Sequence, residues 1–263
     1  MESKDTFSSS LLTRGKEALV RSVIWAFIGL LYGMLFIFFS ELCREWELPV
    51  QPYFFSTVLA GTIGALIYSS MRLAVLLAAI ISPVCILIFT FADTPVMPGQ
   101  LFLIVGPAGA VIGALYGMFV TSSRVYRADA KMLTGFAAGF LAALGYLVFA
   151  RFLDELSLGL LVGIMCIVTG WTYVLFVPTF IRYHDNLLPP FGDGALVGTG
   201  VAIFLGVCFF IMTTSISTAP EMEMLHLIQR IDASLLQAMI GGLIGGAFSG
   251  LLSGLFLTKW QDL

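Results

Sequence analysis

The chain has 263 residues and a formal net charge of −3, with 59% hydrophobic and 11% charged residues and a mean hydropathy of +1.00. Soluble domains carry roughly 25% charged residues, so these apolar side chains exceed what an aqueous core can hold. The balance excludes a soluble globular protein, a disordered chain, a coiled coil and a nucleic-acid binder of the basic-patch kind. It leaves an all-α, polytopic transmembrane bundle whose first partner is the lipid bilayer.

Residues 1–21 are polar and include Glu2 and Asp5, which suits a cytoplasmic tail. The apolar run that follows has no small-residue cleavage site after it, and the acidic pair is wrong for a transit peptide, so an uncleaved anchor is expected. A helical span needs ~20 apolar residues. Runs of that kind lie at 22–42, 53–70, 72–92, 101–121, 132–152, 158–180, 195–216 and 235–257, leaving a short tail at 258–263. Between Tyr53 and Ala92 only Met71 and Arg72 break the apolar run. It is too long for one span and predicts a tight helical hairpin. Alternation with the period of a strand is absent, which disfavours a β-barrel.

Within the third span stands Pro83, and within the fourth Pro107, in Gly106-Pro107-Ala108-Gly109. Each removes a backbone hydrogen bond and predicts a kink, and broken helices can offer carbonyls to a solute. Glycines recur four residues apart at Gly29 and Gly33, at Gly109, Gly113 and Gly117, at Gly135 and Gly139, at Gly241 and Gly245, and at Gly242, Gly246, Gly250 and Gly254. Four residues is close to one helical turn, so each set forms a shallow stripe that another backbone can approach. Gly109, Gly113, Gly117, Gly246, Gly250 and Gly254 are therefore the expected packing or interface positions. Such faces suit packing within the subunit, a homo-oligomer or other membrane subunits.

Orientation follows from Lys and Arg placement. With the N-terminus on one side, that side receives Lys4, Arg14, Lys16, Arg21, Arg72, Arg124, Arg127, Lys131, Arg182 and Lys259, and the other receives only Arg44, Arg151 and Arg230. The split predicts both termini in the cytoplasm of an inner (plasma) membrane of bacterial type. Glu41, Arg151, Asp154 and Glu155 then fall at the external membrane edge, where they are expected to snorkel.

The fourth and eighth spans resemble each other. Gly109, Ala110, Gly113, Leu115, Gly117, Phe119 and Thr121 match Gly246, Ala247, Gly250, Leu252, Gly254, Phe256 and Thr258. Tyr32, Phe38, Glu41 and Leu42 match Tyr146, Phe152, Glu155 and Leu156 more loosely. Matched spans are four apart, as in a duplicated four-helix unit of parallel orientation, although the middle spans do not align. In the last external loop, Thr218 and Glu221 read as a helix cap, and Met224, Leu225, Ile228, Ile231 and Leu235 recur with helical spacing. An interfacial helix on the external surface is expected there.

No nucleotide, metal-protease, redox or hydrolase motif is present, so neither a catalytic residue nor a cofactor is expected. His184 and His226 read as solvated loop residues on opposite sides, which rejects a bis-histidine haem. Cys43, Cys85, Cys166 and Cys208 fall in the external halves of their spans and read as small packing residues rather than a metal or redox site. No ionisable residue stands near the middle of a span, which disfavours a carrier coupled to ions. Acid-base or metal chemistry needs clustered polar groups that are not visible, which disfavours an enzyme. Two functions stay in balance. One is a permease or channel for a small, weakly polar solute, lined by Ser, Thr, Tyr and backbone carbonyls. The other is a non-catalytic subunit or assembly factor of a larger membrane complex.

Overall fold

A computed structural model of the chain describes residues 2–69, 71–91, 98–119, 127–183, 188–216 and 222–256. These form eight α-helices and, among the described residues, no strand: α1 (Glu2–Glu45), α2 (Pro52–Ser69), α3 (Met71–Phe91), α4 (Pro98–Phe119), α5 (Ala128–Leu153), α6 (Leu158–Tyr183), α7 (Pro190–Ile216) and α8 (Met222–Phe256). Proline opens α2, α4 and α7, where its missing N–H would lack a helical partner anyway. The α1–α2 turn is closed by two backbone bonds, Glu47 N to Arg44 O at 3.2 Å and Leu48 N to Cys43 O at 3.1 Å. Glu47 takes the left-handed conformation this helix end requires, with φ of 46°.

Six helices carry stretches long and apolar enough to cross a membrane: Gly15–Glu45, Pro52–Ser69, Ala128–Leu153, Leu158–Tyr183, Phe191–Met212 and Ser234–Leu255. In α3 and α4 the corresponding stretches are shorter, Leu73–Ile88 and Leu103–Phe119. Outward faces are apolar: Leu103, Val148 and Phe152 are 75%, 76% and 71% exposed. Lipid is the solvent that tolerates such faces.

Glycine seams decide which helices touch. α1 and α8 run antiparallel, with Gly29 against Gly242 and Gly246, Gly33 against Ala238, and Gly254 against Ala18; a Cβ at Gly250 would sit 2.5 Å from the carbonyl oxygen of Arg21. The neighbouring stripe of α8 faces α6, where a Cβ at Gly245 would sit 2.5 Å from Gly163 O. α2 meets α5 through Gly61, whose Cβ would lie 3.1 Å from Gly135 O. α4 meets α7 through Gly109 and Gly113 against Gly198 and Gly194, with Gly117 backbone against Gly194. Inside lipid the hydrophobic effect does not pull helices together, so close van der Waals contact has to hold them.

The seams and the remaining contacts arrange α1, α2, α5, α6 and α8 in a ring in which each helix packs on two neighbours. α7 packs on α2 and α5, and carries α3 and α4. The halves of the chain therefore interleave instead of forming two four-helix units. α4 and α8 share a packing task, while their partners, α7 in one case and α1 with α6 in the other, do not correspond under an offset of four helices.

One further expectation, the separate surface helix, meets a different outcome. Residues 2–21, the expected tail, are helical and continuous with the first span, and no proline interrupts that stretch. The expected surface helix from 218 is not a separate element from Met222 onward. It runs on to Phe256 without a break, and Ile231 is buried against the ring core; Thr218 to Glu221 lie outside the described residues. Pro83 and Pro107 stand inside α3 and α4 with exposed side chains, so both prolines face away from the bundle. A third internal proline, Pro178, stands in α6.

Overpacking a dense interior costs about 1–3 kcal/mol. Gly113→Leu and Gly250→Leu should each lower the melting temperature in detergent, whereas Leu103→Ile, on the lipid side, should melt with the parent. Differential scanning fluorimetry of the purified variants checks this.

Candidate functional site: an aromatic cavity in the helix ring

Four ring helices line a partly open cavity. α1 contributes Trp25, Ile28, Gly29 and Tyr32; α2 contributes Ala60, Gly61, Gly64, Ala65 and Tyr68; α5 contributes Gly135; and α6 contributes Cys166, Thr169, Gly170 and Tyr173. The cavity between these groups has a volume of about 50 Å³. No charged side chain is among its described lining. The helical repeat explains the lining: Ala60, Gly61, Gly64, Ala65 and Tyr68 recur at three- and four-residue spacing, so α2 turns one face to the void.

Two kinds of glycine meet here. Gly61 is a seam residue with backbone of α5 close by, whereas a Cβ at Gly64 would meet nothing within 4 Å. Gly64 is nonetheless buried. Its missing side chain leaves space in the cavity instead of admitting a neighbouring backbone.

At the end where α1 begins and α8 finishes, three aromatic rings close the cavity. Trp25 meets Tyr68 edge-on at 5.5 Å between centroids, and Tyr173 lies 6.4 Å from Trp25 and 6.3 Å from Tyr68. These spacings fall in the favourable range for tilted aromatic pairs. One helical turn before Trp25, Arg21 is buried and donates from Nη1 to the carbonyl of Ser253 at 3.1 Å. Tyr32 stands further along α1, and its hydroxyl bonds to that of Thr169 at 3.4 Å.

Two polar atoms of the lining are buried: the hydroxyl of Tyr173 has no hydrogen-bond partner, and the indole nitrogen of Trp25 makes no bond of full geometry, with Tyr68 beside it. Buried polar groups are satisfied in the great majority of cases, so this pair is notable in a cavity with room beside it.

From the cavity, aromatic contacts continue to the opposite end. Tyr32 packs on Phe36 at 6.2 Å, Phe36 stacks on Tyr53 at 5.6 Å, and Tyr53 meets Tyr146 edge-on at 5.8 Å. There a second, more polar hollow of about 430 Å³ is lined by Gln51, Tyr53, Tyr146 and Asp154 with four leucines. Gln51 donates to the hydroxyl of Tyr146 at 2.8 Å, and Tyr146 donates to Asp154 at 2.7 Å.

Beside this hollow, Glu41 is 2% exposed and ion-paired with Arg44 at 2.6 Å and Arg230 at 3.1 Å, while Arg230 also reaches Glu45 at 2.6 Å. The expectation that Glu41 snorkels is thus corrected. The helical extension of α8 beyond its apolar stretch brings Arg230 alongside α1, and the carboxylate stays inside because it is paired.

Of the glycines singled out by spacing, Gly29 and Gly135 line the cavity, whereas the six expected as interface positions lie elsewhere. Gly109, Gly113 and Gly117 face α7, and Gly246, Gly250 and Gly254 face α1. Neither they nor Pro83 and Pro107 line the cavity. Cys43, Cys85, Cys166 and Cys208 are free thiols on four different segments. Cys166 lines the cavity, Cys43 donates weakly to Val50 O at 3.4 Å, and no group of three metal-binding side chains occurs among the described residues. His184 and the side chain of His226 lie outside the described residues.

Trp25, Tyr68, Thr169 and Tyr173 escaped the reading by sequence. A trace was present in the polar or aromatic residues spaced seven apart on α1 (Trp25, Tyr32) and four apart on α6 (Thr169, Tyr173), but nothing in the chain marks those two faces as opposite one another.

Comparison of the chain with protein-family models, curated proteins and solved structures finds no match.

A buried hydroxyl without a partner costs about 1–3 kcal/mol, and its removal in a shape-preserving way is near neutral or stabilising. Tyr173→Phe should therefore melt at or above the parent temperature. Tyr32→Phe should melt below it, because Thr169 then loses its partner. Paired thermal melts in one detergent test the contrast.

Proposed function

We propose that the chain is an integral membrane protein of eight spans with both termini in the cytoplasm, and that its helix ring forms a passage for a small, weakly polar solute. The observation that supports this most directly is the cavity inside the ring, which is uncharged, aromatic and supplied with hydroxyl and indole groups. The more polar hollow around Gln51, Tyr146 and Asp154 would then be the external approach. The cluster of Trp25, Tyr68 and Tyr173 would be the constriction on the cytoplasmic side. Tyr32 and Thr169 would exchange their mutual bond for bonds to the passing solute, so that little desolvation is left uncompensated. Ions would be refused because burying an unpaired charge in such a lining is prohibitive.

For the topology, the support is the basic-residue split together with the antiparallel packing of α4 on α7 and α1 on α8. Reporter fusions after Lys131 and Lys259 should read cytoplasmic, and one after Asp93 external. An external reading at Lys259 would refute the even number of spans.

For the passage, Gly64→Leu offers a clean blocker, since the space beside Gly64 is empty and the variant should fold. Reconstituted into liposomes, the parent should speed the osmotic re-swelling caused by propane-1,2-diol or urea, and Gly64→Leu should return it to the rate of protein-free vesicles. Identical rates for parent, variant and empty vesicles would remove the permease reading. A non-catalytic subunit of a larger assembly would then be the better account of the glycine-packed bundle.

A further inference from the structure

We infer that the cavity is a binding site for a neutral molecule of about four heavy atoms with an apolar body and one acceptor oxygen, such as a small ketone. This rests on the reading of the cavity as the solute's station, and it adds the chemistry that station would select.

The lining supplies the apolar half of the argument. Trp25, Tyr68 and Tyr173 present aromatic surface, and Gly64 leaves space that its own side chain would otherwise occupy. The cavity volume is about 50 Å³. At about 10–15 Å³ for one water, that accommodates about four waters or one organic molecule of about four heavy atoms.

The polar half comes from the Tyr173 hydroxyl, which lacks a partner, and from the Trp25 indole, which is held only loosely beside Tyr68. The indole of Trp25 can only donate, and the hydroxyl of Tyr173 can donate as well as accept. Both residues are more than nine-tenths buried, at 6% and 5% exposure. A ligand that brings an acceptor oxygen satisfies what the protein leaves open, whereas a purely apolar ligand leaves the cost in place. A cation meets no carboxylate in the lining, and the buried Arg21 one turn away adds positive charge at that end.

The test uses three probes of matched size: acetone, 2-methylpropane and isopropylammonium. Trp46, Trp171 and Trp260 are replaced by Phe so that Trp25 alone reports, and the protein is held in nanodiscs. Acetone should change Trp25 emission saturably and 2-methylpropane should need a higher concentration. Isopropylammonium should do nothing where acetone saturates. Gly64→Leu should abolish the saturable signal. Tyr173→Phe should weaken acetone about three- to tenfold, the worth of one hydrogen bond, so that its preference over 2-methylpropane collapses. A rise in melting temperature of the otherwise unaltered protein with acetone, absent in Gly64→Leu, gives the same answer if the single-tryptophan chain folds poorly.

Equal saturable binding in parent and Gly64→Leu would overturn the site. Equal preference in parent and Tyr173→Phe would overturn the acceptor rule. Saturable, Gly64-dependent binding without any solute flux would keep the site and remove the permease reading. Flux that Gly64→Leu blocks, with no probe binding, would do the reverse.

Discussion

Everything in this bundle depends on backbone meeting backbone. Lipid tails are as apolar as leucine, so burying leucine between two helices gains little over leaving it in the bilayer. What association can gain is contact density, and that is greatest where no side chain stands between two helix axes. The α1–α8, α6–α8, α2–α5 and α4–α7 contacts all follow this rule, with a carbonyl of one helix filling the place a Cβ would take on the other. α8 uses it twice. Gly242, Gly246, Gly250 and Gly254 serve α1, while Gly241 and Gly245, about 100° round the helix, serve α6.

Close contact along seams has a consequence for the middle of the ring. Helices pinned together at glycines cannot also adjust freely to fill the space between them. Large side chains must fill it, and along α1, α2 and α6 these are aromatic: Trp25, Tyr32, Phe36, Tyr53, Tyr68 and Tyr173. Stiff rings pack less completely than flexible aliphatic chains, and next to Gly64 a void remains. The cavity and the seams are in this sense two results of one choice of residues. The hydroxyls carried by these rings then give the void a polarity that leucine or phenylalanine would not.

Charge is placed at the ends, and there it is used structurally. At one end Glu41 is clamped between Arg44 and Arg230, which ties the start of α8 to the end of α1. At the other, Asp129 and Asp193 are both buried in the first turns of α5 and α7, where Asp193 accepts from the backbone of Asp129 at 3.3 Å. Carboxylates at helix N-termini are favoured by the exposed N–H groups there. Lys131 reaches the last turn of α2 at Ser69 O, 3.3 Å away, and Arg127 donates to Ile181 O near the end of α6. Basic groups thus satisfy carbonyls that helix ends leave open.

By itself the sequence determined the class of solvent, the helical character and the faces on which helices would meet. Hydropathy is a sum over neighbours in the chain, and a glycine every fourth residue marks a stripe whatever lies opposite. The partner of each stripe was a matter for the tertiary structure. Gly113 and Gly250 sit in near-identical surroundings along the chain, yet one faces Gly194 and Gly198 and the other the carbonyl of Arg21. The similarity therefore suggested a duplication that the interleaved packing does not display. The cavity was equally out of reach, because Trp25, Gly64 and Tyr173 are ordinary residues of three separate spans. Only when α1, α2 and α6 are set around one axis does the absence of a side chain at Gly64 become space, and the hydroxyl at Tyr173 become a donor without a partner.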